Sequence, residues 1–547
     1  MKKILISMLL VLTLVMTSVS AFAIYDIPEA YDMPISDGSI TLTVYMAMEA
    51  GSEKAMLDYT EHPAIKAWEE ATGINFTFIH PPANDDGTFF NTTIASGTLP
   101  DIWITGNFNQ YYVGNVEGAI DDGILLNLNE YIEKYGHYYL ENAHANWDEK
   151  AEKNFMTDSG MYRFGAAEQR VPVLGMQHSG MVVRSDVMEE LGLEMPKTID
   201  ELHDLLVAFK DYGFEVPLVL EKLDQWWYSG SAFLASYLET NTNDFILDEN
   251  GKVVYSLLQP GYKQYLATLN QWYNEGLIDV DLVSREHSDA KAMLTSGRAA
   301  MCDIGNWETQ ECIAVGKAAC GENFYLKGMS CLAKDAESEV YNPYGDPIEN
   351  GSNTMYWGIS TTCKYPEEAF KALDWLYSRE GSTLMCFGPQ TSIDMLHKDS
   401  GEEVTIYTED ENGQRAFTDY ILKNDELEYN SIRYIYTIQN LSSEYASEME
   451  YMQYGDECNA QCWEAWTNGT TNERRIPSSI SLTAEESSLK VNTMNNITAY
   501  AFEHIYNIVF GEESIDSWDA VCEQIKAMGI DDVIAVQQAA YDRYQAR

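Results

Sequence analysis

Residues 40–46, ITLTVYM, alternate apolar with polar or aromatic side chains, the period-two pattern of a strand. A loop, Ala47-Met48-Glu49-Ala50-Gly51, follows. His62-Pro63-Ala64-Ile65 then opens a helix with proline in its first turn; Ile65, Trp68 and Ala71 share one face, and Gly73 lies just past its end. Asn75 to Ile79 reads as a second strand, and the order strand, helix, strand predicts a right-handed crossover in a parallel sheet. Phe90 and Ile94, four apart, mark another helix that stops at Ser96-Gly97. Leu99-Pro100 bars its continuation, and Ile102-Trp103-Ile104 begins a third strand, with Trp103 packed in the sheet. Parallel sheets open their ligand crevices beyond the carboxyl ends of their strands. That rule singles out Glu49 after the first strand and Gly106-Asn107-Phe108 after the third; the competing reading is two ordinary surface loops.

The same logic continues along the chain. An apolar run, Val216 to Leu220, precedes Asp224-Gln225-Trp226-Trp227-Tyr228, and Met301-Cys302-Asp303-Ile304-Gly305 precedes Asn306-Trp307-Glu308. Phe245 to Val254 is patterned as a hairpin turning at Asn250-Gly251; its acidic residues miss the alternation of a calcium loop, so turn chemistry is the better reading. Helices are expected from Ala484, over Ser514 to Met528 and over Asp531 to Arg547. No internal repeat or low-complexity linker separates these parts.

Composition sharpens the class. With 547 residues, 45% of them hydrophobic, the chain can bury two or more substantial cores. A formal charge of −52, spread along the sequence, repels nucleic acid and anionic membranes and favours neutral or cationic ligands. Lys2 and Lys3 before the apolar run Ile4 to Met16, with Ala21-Phe22-Ala23 after it, predict a cleaved signal peptide over residues 1–23 and therefore export. No later run approaches the ~20 apolar residues of a membrane span. The first cysteine is Cys302, so no lipid anchor is expected. Nine cysteines without a C-x-x-C pair suit either disulfides or buried thiols in an organism living without oxygen; the second is preferred.

Several chemistries are excluded by their missing signatures. No two of the 36 glycines are separated by a single residue, which removes the dinucleotide fingerprint, and no phosphate loop, hydrolase elbow or H-E-x-x-H occurs. No cofactor and no metal site is expected. With 86 acidic residues, carboxylate pairs arise by chance, so a secreted glycoside hydrolase or lyase stays as the alternative. Aromatic side chains are plentiful: 36 Tyr, 12 Trp and 18 Phe. Sugars offer C–H faces for such rings and hydroxyls for Asp, Glu and Asn, so Trp226, Trp227, Trp307 and Asp303 become candidates for a carbohydrate cleft, with core packing as the competing explanation for each tryptophan.

Taken together, Thr72-Gly73-Ile74-Asn75-Phe76, "SGTLPDIW", "MPKTIDELHDLLVAFK" at 195–210, "SGRAAMCDIGNWE" at 296–308, "WGISTTCKYPEEAFKALDWLYSREG" at 357–381 and the ending "MGIDDVIAVQQAAYDRYQAR" resemble the extracellular solute-binding proteins of ABC sugar importers. The resemblance is to the maltose-binding-protein-like group and its long LipO-like branch. It implies an α/β, type II periplasmic-binding fold of two lobes, each with a mostly parallel sheet flanked by helices, expected over 39–165 with 355–430 and over 166–354 with 431–547. It also implies a monomer that closes on a sugar by hinge bending and delivers it to a membrane permease. Trp307 takes the place of the family's sugar-stacking tryptophan, Trp226 and Trp227 fall near its second aromatic segment, and Glu49 and Asn107 near its first-lobe contacts. The branch usually carries a lipobox cysteine, which this chain lacks, and the divergent loops leave the sugar itself open.

Overall fold

A computed structural model describes residues 26–82, 87–142, 156–157, 160–161, 179–223, 231–240, 242–342, 356–411, 413, 415–441, 457–471, 474–477 and 480–546. The expected signal peptide, and Trp226 and Trp227, lie outside the described residues.

Eight strands build two four-stranded sheets: β1 (Ile40–Met46), β2 (Ile74–Ile79), β3 (Ile102–Thr105), β4 (Ser179–Arg184), β5 (Val216–Leu218), β6 (Ala299–Gly305), β7 (Leu326–Gly328) and β8 (Tyr356–Ile359). The first sheet runs β8-β3-β1-β2 and the second β7-β4-β6-β5. In the first, β1 pairs in parallel with both β2 and β3, and β8 returns antiparallel on β3. In the second only β6 and β5 pair in parallel; β4 runs antiparallel to both neighbours. Each sheet thus has three strands pointing one way and one reversed, so its like-directed strand ends form one rim.

Local chemistry explains the first crossover. His62 caps the helix Pro63–Thr72 through its ring, which accepts the Ala64 N–H at 3.1 Å, and Gly73 ends it at a φ of 68°. No other residue fits there, because a Cβ at Gly73 would fall 1.8 Å from the Ser36 carbonyl oxygen. Trp68, fully buried, stacks on Phe76 of β2 with ring centres 3.9 Å apart, which locks helix to sheet. Trp103 is equally buried in β3, and its ring N–H donates to Ser360 at 2.8 Å just past β8.

Each sheet has its own core. Buried residues packed around the first come from 40 to 140 and again from 357 to 441; those around the second come from 181 to 332 and from 458 to 533. The C-terminal helices Ala484–Val509, Trp518–Ala527 and Ile530–Ala546 cover the second sheet. The hairpin pairs Phe245–Leu247 with Val253–Tyr255, and the Asp248 carboxylate accepts the N–H groups of Asn250 and Lys252, both at 2.8 Å. Among the described residues no group of three potential metal ligands occurs, and no helix is long and apolar enough to cross a membrane. Seven of the nine cysteines are buried, and no disulfide joins any of them.

Candidate functional site

At the first rim the chain leaves β1 into a turn that carries Glu49. This side chain is only 8% exposed, and its own N–H donates to the Tyr59 hydroxyl at 2.7 Å. Burial and the Glu49 charge both push the Tyr59 phenol up. His80, just after β2, binds the turn together: its Nδ1 lies 2.7 Å from the Met46 carbonyl oxygen while its Nε2 accepts the Tyr59 N–H at 3.3 Å. With Nε2 accepting, Nδ1 is the nitrogen left to donate to the Met46 carbonyl.

Beyond β3 the expected loop is instead a short helix, Asn107–Tyr111. Phe108 decides this, because its ring is driven into a cluster with Phe90, Trp103 and Tyr112 at 5.0, 5.1 and 5.9 Å. Asn107 is left half-buried at the helix start, its N–H held by the Thr105 hydroxyl at 3.1 Å.

The second rim is more heavily built. Asp303 sits inside β6 opposite Met181, 2% exposed, and its charge is one of the influences that raise the Tyr265 phenol after burial itself. It is therefore set within the sheet and not in the turn past it. That turn is Asn306–Glu308, and Trp307 occupies its middle position. Asn306 is 1% exposed, and both polar atoms of its side-chain amide are buried without a hydrogen-bond partner among the described residues. Its carbonyl, by contrast, accepts from Asn459 Nδ2 at 2.7 Å and Thr309 Oγ1 at 3.0 Å. An unmet buried amide costs about 1–3 kcal/mol, which a ligand or water placed at this strand end would recover.

Glu308 fixes the turn from the other side. Its carboxylate accepts the Gly305 N–H at 2.7 Å and meets His287 Nε2 at 2.9 Å and Lys291 Nζ at 3.0 Å. His287 Nδ1 in turn lies 2.7 Å from Glu221, which is 1% exposed and follows β5 by three residues. A neutral imidazole donates once, so two carboxylates on its two nitrogens require the imidazolium. Burial opposes that charge, yet the two carboxylates outweigh it and lift His287 to about 9. Burial likewise opposes ionisation of Glu308, but His287, Gly305 and Lys291 hold it down at about 2. For Glu221 burial prevails over the histidine and raises its pKa.

The structure thus brings Asn306, Trp307, Glu308, Glu221 and His287 to one rim, and Glu49 and Asn107 to the other. Sequence reading missed His287 and Glu221, since 66 residues separate them and no local spacing links them. Asn306 was legible as part of a strand-end cluster; its missing partners were not.

A family model of bacterial extracellular solute-binding proteins matches residues 50–383, a stretch that enters after β1 and runs through β2 to β8. The chain belongs to this family. It is 24% identical to the lipoprotein LipO of Bacillus subtilis over 45% of its own length and 48% of LipO. It is 27% identical to the fructooligosaccharide ABC transporter substrate-binding protein FusA of Streptococcus pneumoniae, over 42% of this chain and 44% of FusA. Each alignment therefore spans about half the relative's length or less. Among solved solute-binding structures, the HMO-binding, ABC-transporter-associated protein of Bifidobacterium longum infantis superposes over 93% of this chain and 99% of its own, with a TM-score of 0.71 at 17% identity. The α/β periplasmic-binding architecture of two sheets with flanking helices is the family's fold.

Proposed function

We propose that this solute-binding protein is a non-enzymatic, exported receptor that captures an oligosaccharide between two lobes and hands it to an ABC permease. The observation that carries this reading is the second rim, where an unpartnered buried amide, Asn306, stands beside Trp307 on a turn braced by ion pairs. The hydroxyls of a sugar supply the donors and acceptors that such an amide lacks. Trp226 and Trp227, Asp303, and Asn107 and Glu49 from the other rim complete the proposed contacts. FusA's name couples a fructooligosaccharide to an ABC transporter, which supports the same class of ligand and partner here. The lobes are taken as 39–165 with 355–441 and 166–354 with 442–547, the last crossing placed after Leu441 and not after residue 430, because core residues up to that point pack around the first sheet.

A hydrolase would need a free carboxylate pair at this rim. Glu221 and Glu308 are bound instead to His287 and Lys291, which supports binding over turnover. Release of shorter saccharides on prolonged incubation would overturn that reading. Calorimetry against a panel of neutral and acidic oligosaccharides is expected to find at least one ligand. Trp307→Ala should weaken it by about 2 kcal/mol, roughly thirtyfold, and an unchanged affinity would remove Trp307 from the site.

A further inference from the structure

Residues 26–39, ahead of β1, lie along the first core in irregular backbone. Met33 and Ile35 pack on that core, while Asp32 and Pro34 are exposed. The end nearer β1 is clasped, because Ser36 and Gly38 donate their N–H groups to the carbonyls of Thr72 and Gly73 at 3.0 and 2.9 Å. The other end is held through Tyr31, whose ring meets Tyr138 edge-on at 5.8 Å. Its hydroxyl lies 2.8 Å from the Lys371 carbonyl oxygen and 3.0 Å from Oδ2 of Asp374, both in the helix Pro366–Trp375. Asp374 is 0% exposed, and its Oδ1 and Oδ2 accept the N–H groups of Tyr139 and Tyr138 at 2.9 and 3.2 Å. One phenolic proton cannot serve both oxygens that flank it. A carbonyl only accepts, so the phenol donates to Lys371, and the contact with Asp374 then needs a proton from the acid. A protonated Asp374 supplies it through Oδ2 and keeps Oδ1 for Tyr139.

We propose that Asp374 is a proton-operated latch for residues 26–35: neutral, it donates to Tyr31 and the segment lies down; ionised, it offers an acceptor where a donor is required, and the segment lifts about the clasp at Ser36. Burial foremost raises the Asp374 carboxyl from 3.8 to about 7, against Tyr139, Tyr138, Tyr31 and His137, which favour its charged form. Freed to water, the acid returns towards 3.8, so the hold is complete below about pH 3.8, weakens as pH rises and is lost above about 7. The other charged groups around it come from four elements. His137, in the helix His137–Asn142, has Glu141 at 3.6 Å. Lys371, in the acid's own helix, is held by Glu367 at 2.6 Å and stands 5.6 Å from the centre of the Tyr31 ring. Glu380, in the helix Arg379–Phe387, acts with burial, Asp374 and Glu141 to raise the Tyr138 phenol. The segment itself brings the exposed Glu29 and Asp32. His137 also touches the segment, with Nδ1 2.8 Å from the Pro28 carbonyl oxygen. That nitrogen donates whether the ring is neutral or charged, so this contact does not depend on the ring's titration.

The test is hydrogen exchange of the full chain, read by mass spectrometry on peptides from this segment and corrected for the intrinsic pH dependence of exchange. Protection of the segment is expected to fall about tenfold or more between about pH 5 and about pH 7.5 and to level off above that. Tyr31→Phe, which leaves the body of the protein untouched, should lose the protection at both ends of that range. Asp374→Asn presents an amide N–H to Tyr31 at every pH, so its protection should stay high and flat. Wild-type protection that does not change with pH would overturn the proposal, as would a pH response retained in Asp374→Asn. A response that vanishes in His137→Asn would assign the switch to the histidine and overturn it too. Should Asp374→Asn fail to fold, Tyr31→Phe decides, because unchanged protection in that variant removes the latch.

Discussion

His287 shows how much a single side chain contributes when both of its nitrogens are committed. It is a quarter exposed, yet it faces Glu221 at 2% and Glu308 at 9% side-chain exposure, so removing it strands the Glu221 carboxylate and leaves Glu308 to Lys291 and the Gly305 N–H alone. His287→Gln is expected to destabilise the protein by about 3 kcal/mol, read as a shift in the denaturant midpoint. The pH dependence follows from the two displaced pKa values. His287 is raised from 6.5 to about 9, so its contribution is complete below about pH 6.5 and disappears as pH rises through 9. Glu308 is lowered from 4.5 to about 2, so its contribution is complete above about pH 4.5 and disappears as pH falls towards 2. The gap in melting temperature between wild type and His287→Gln should therefore be widest between about pH 4.5 and 6.5 and narrow on both sides. A gap independent of pH would mean that the ring acts by packing alone.

At the scale of elements, the first crossover was almost fully legible. Proline at the start of a helix, Gly73 and Gly97 at helix ends, and β-branched alternation are local signals that need no knowledge of distant residues. The helix at Asn107 was misread because its cause, Phe108 reaching Phe90 and Trp103, is tertiary. The second sheet was harder still. β4 is a wholly buried strand without alternation, and its position between β7 and β6 depends on the helix Glu457–Trp466, nearly three hundred residues later. Trp466 of that helix donates its ring N–H to the Met181 carbonyl at 3.0 Å and lies so close that a Cβ on Gly180 would meet its ring at 2.6 Å. Gly180→Ala must displace the indole or the strand, and a loss of about 1–3 kcal/mol is expected in chemical denaturation, with a changed tryptophan emission. Normal stability and emission would show that the helix yields without penalty.

On the whole-molecule scale, charge and topology pull in different directions. A formal charge of −52 keeps the surface solvated and discourages anionic partners, but it says nothing about where a ligand sits. The proposed location rests on the two rims, and the first of those exists only because the chain visits the first core, leaves it after residue 140, and returns at 357. The return strand is β8, which pairs antiparallel with β3 from Tyr356 opposite Thr105 to Ile359 opposite Ile102. That pairing has a consequence for biogenesis. A chain crossing a membrane amino-terminus first presents β1, β2 and β3 long before β8 has emerged, and until then the outer edge of β3 offers unpaired backbone groups to any neighbour. The first-core segment 39–165 alone should therefore associate, whereas the same segment joined to 355–441 should elute as a soluble species by size-exclusion chromatography. On the proposed reading, secretion would wait on the arrival of the second half, and shielding that edge in transit would fall to the cell and not to the fold.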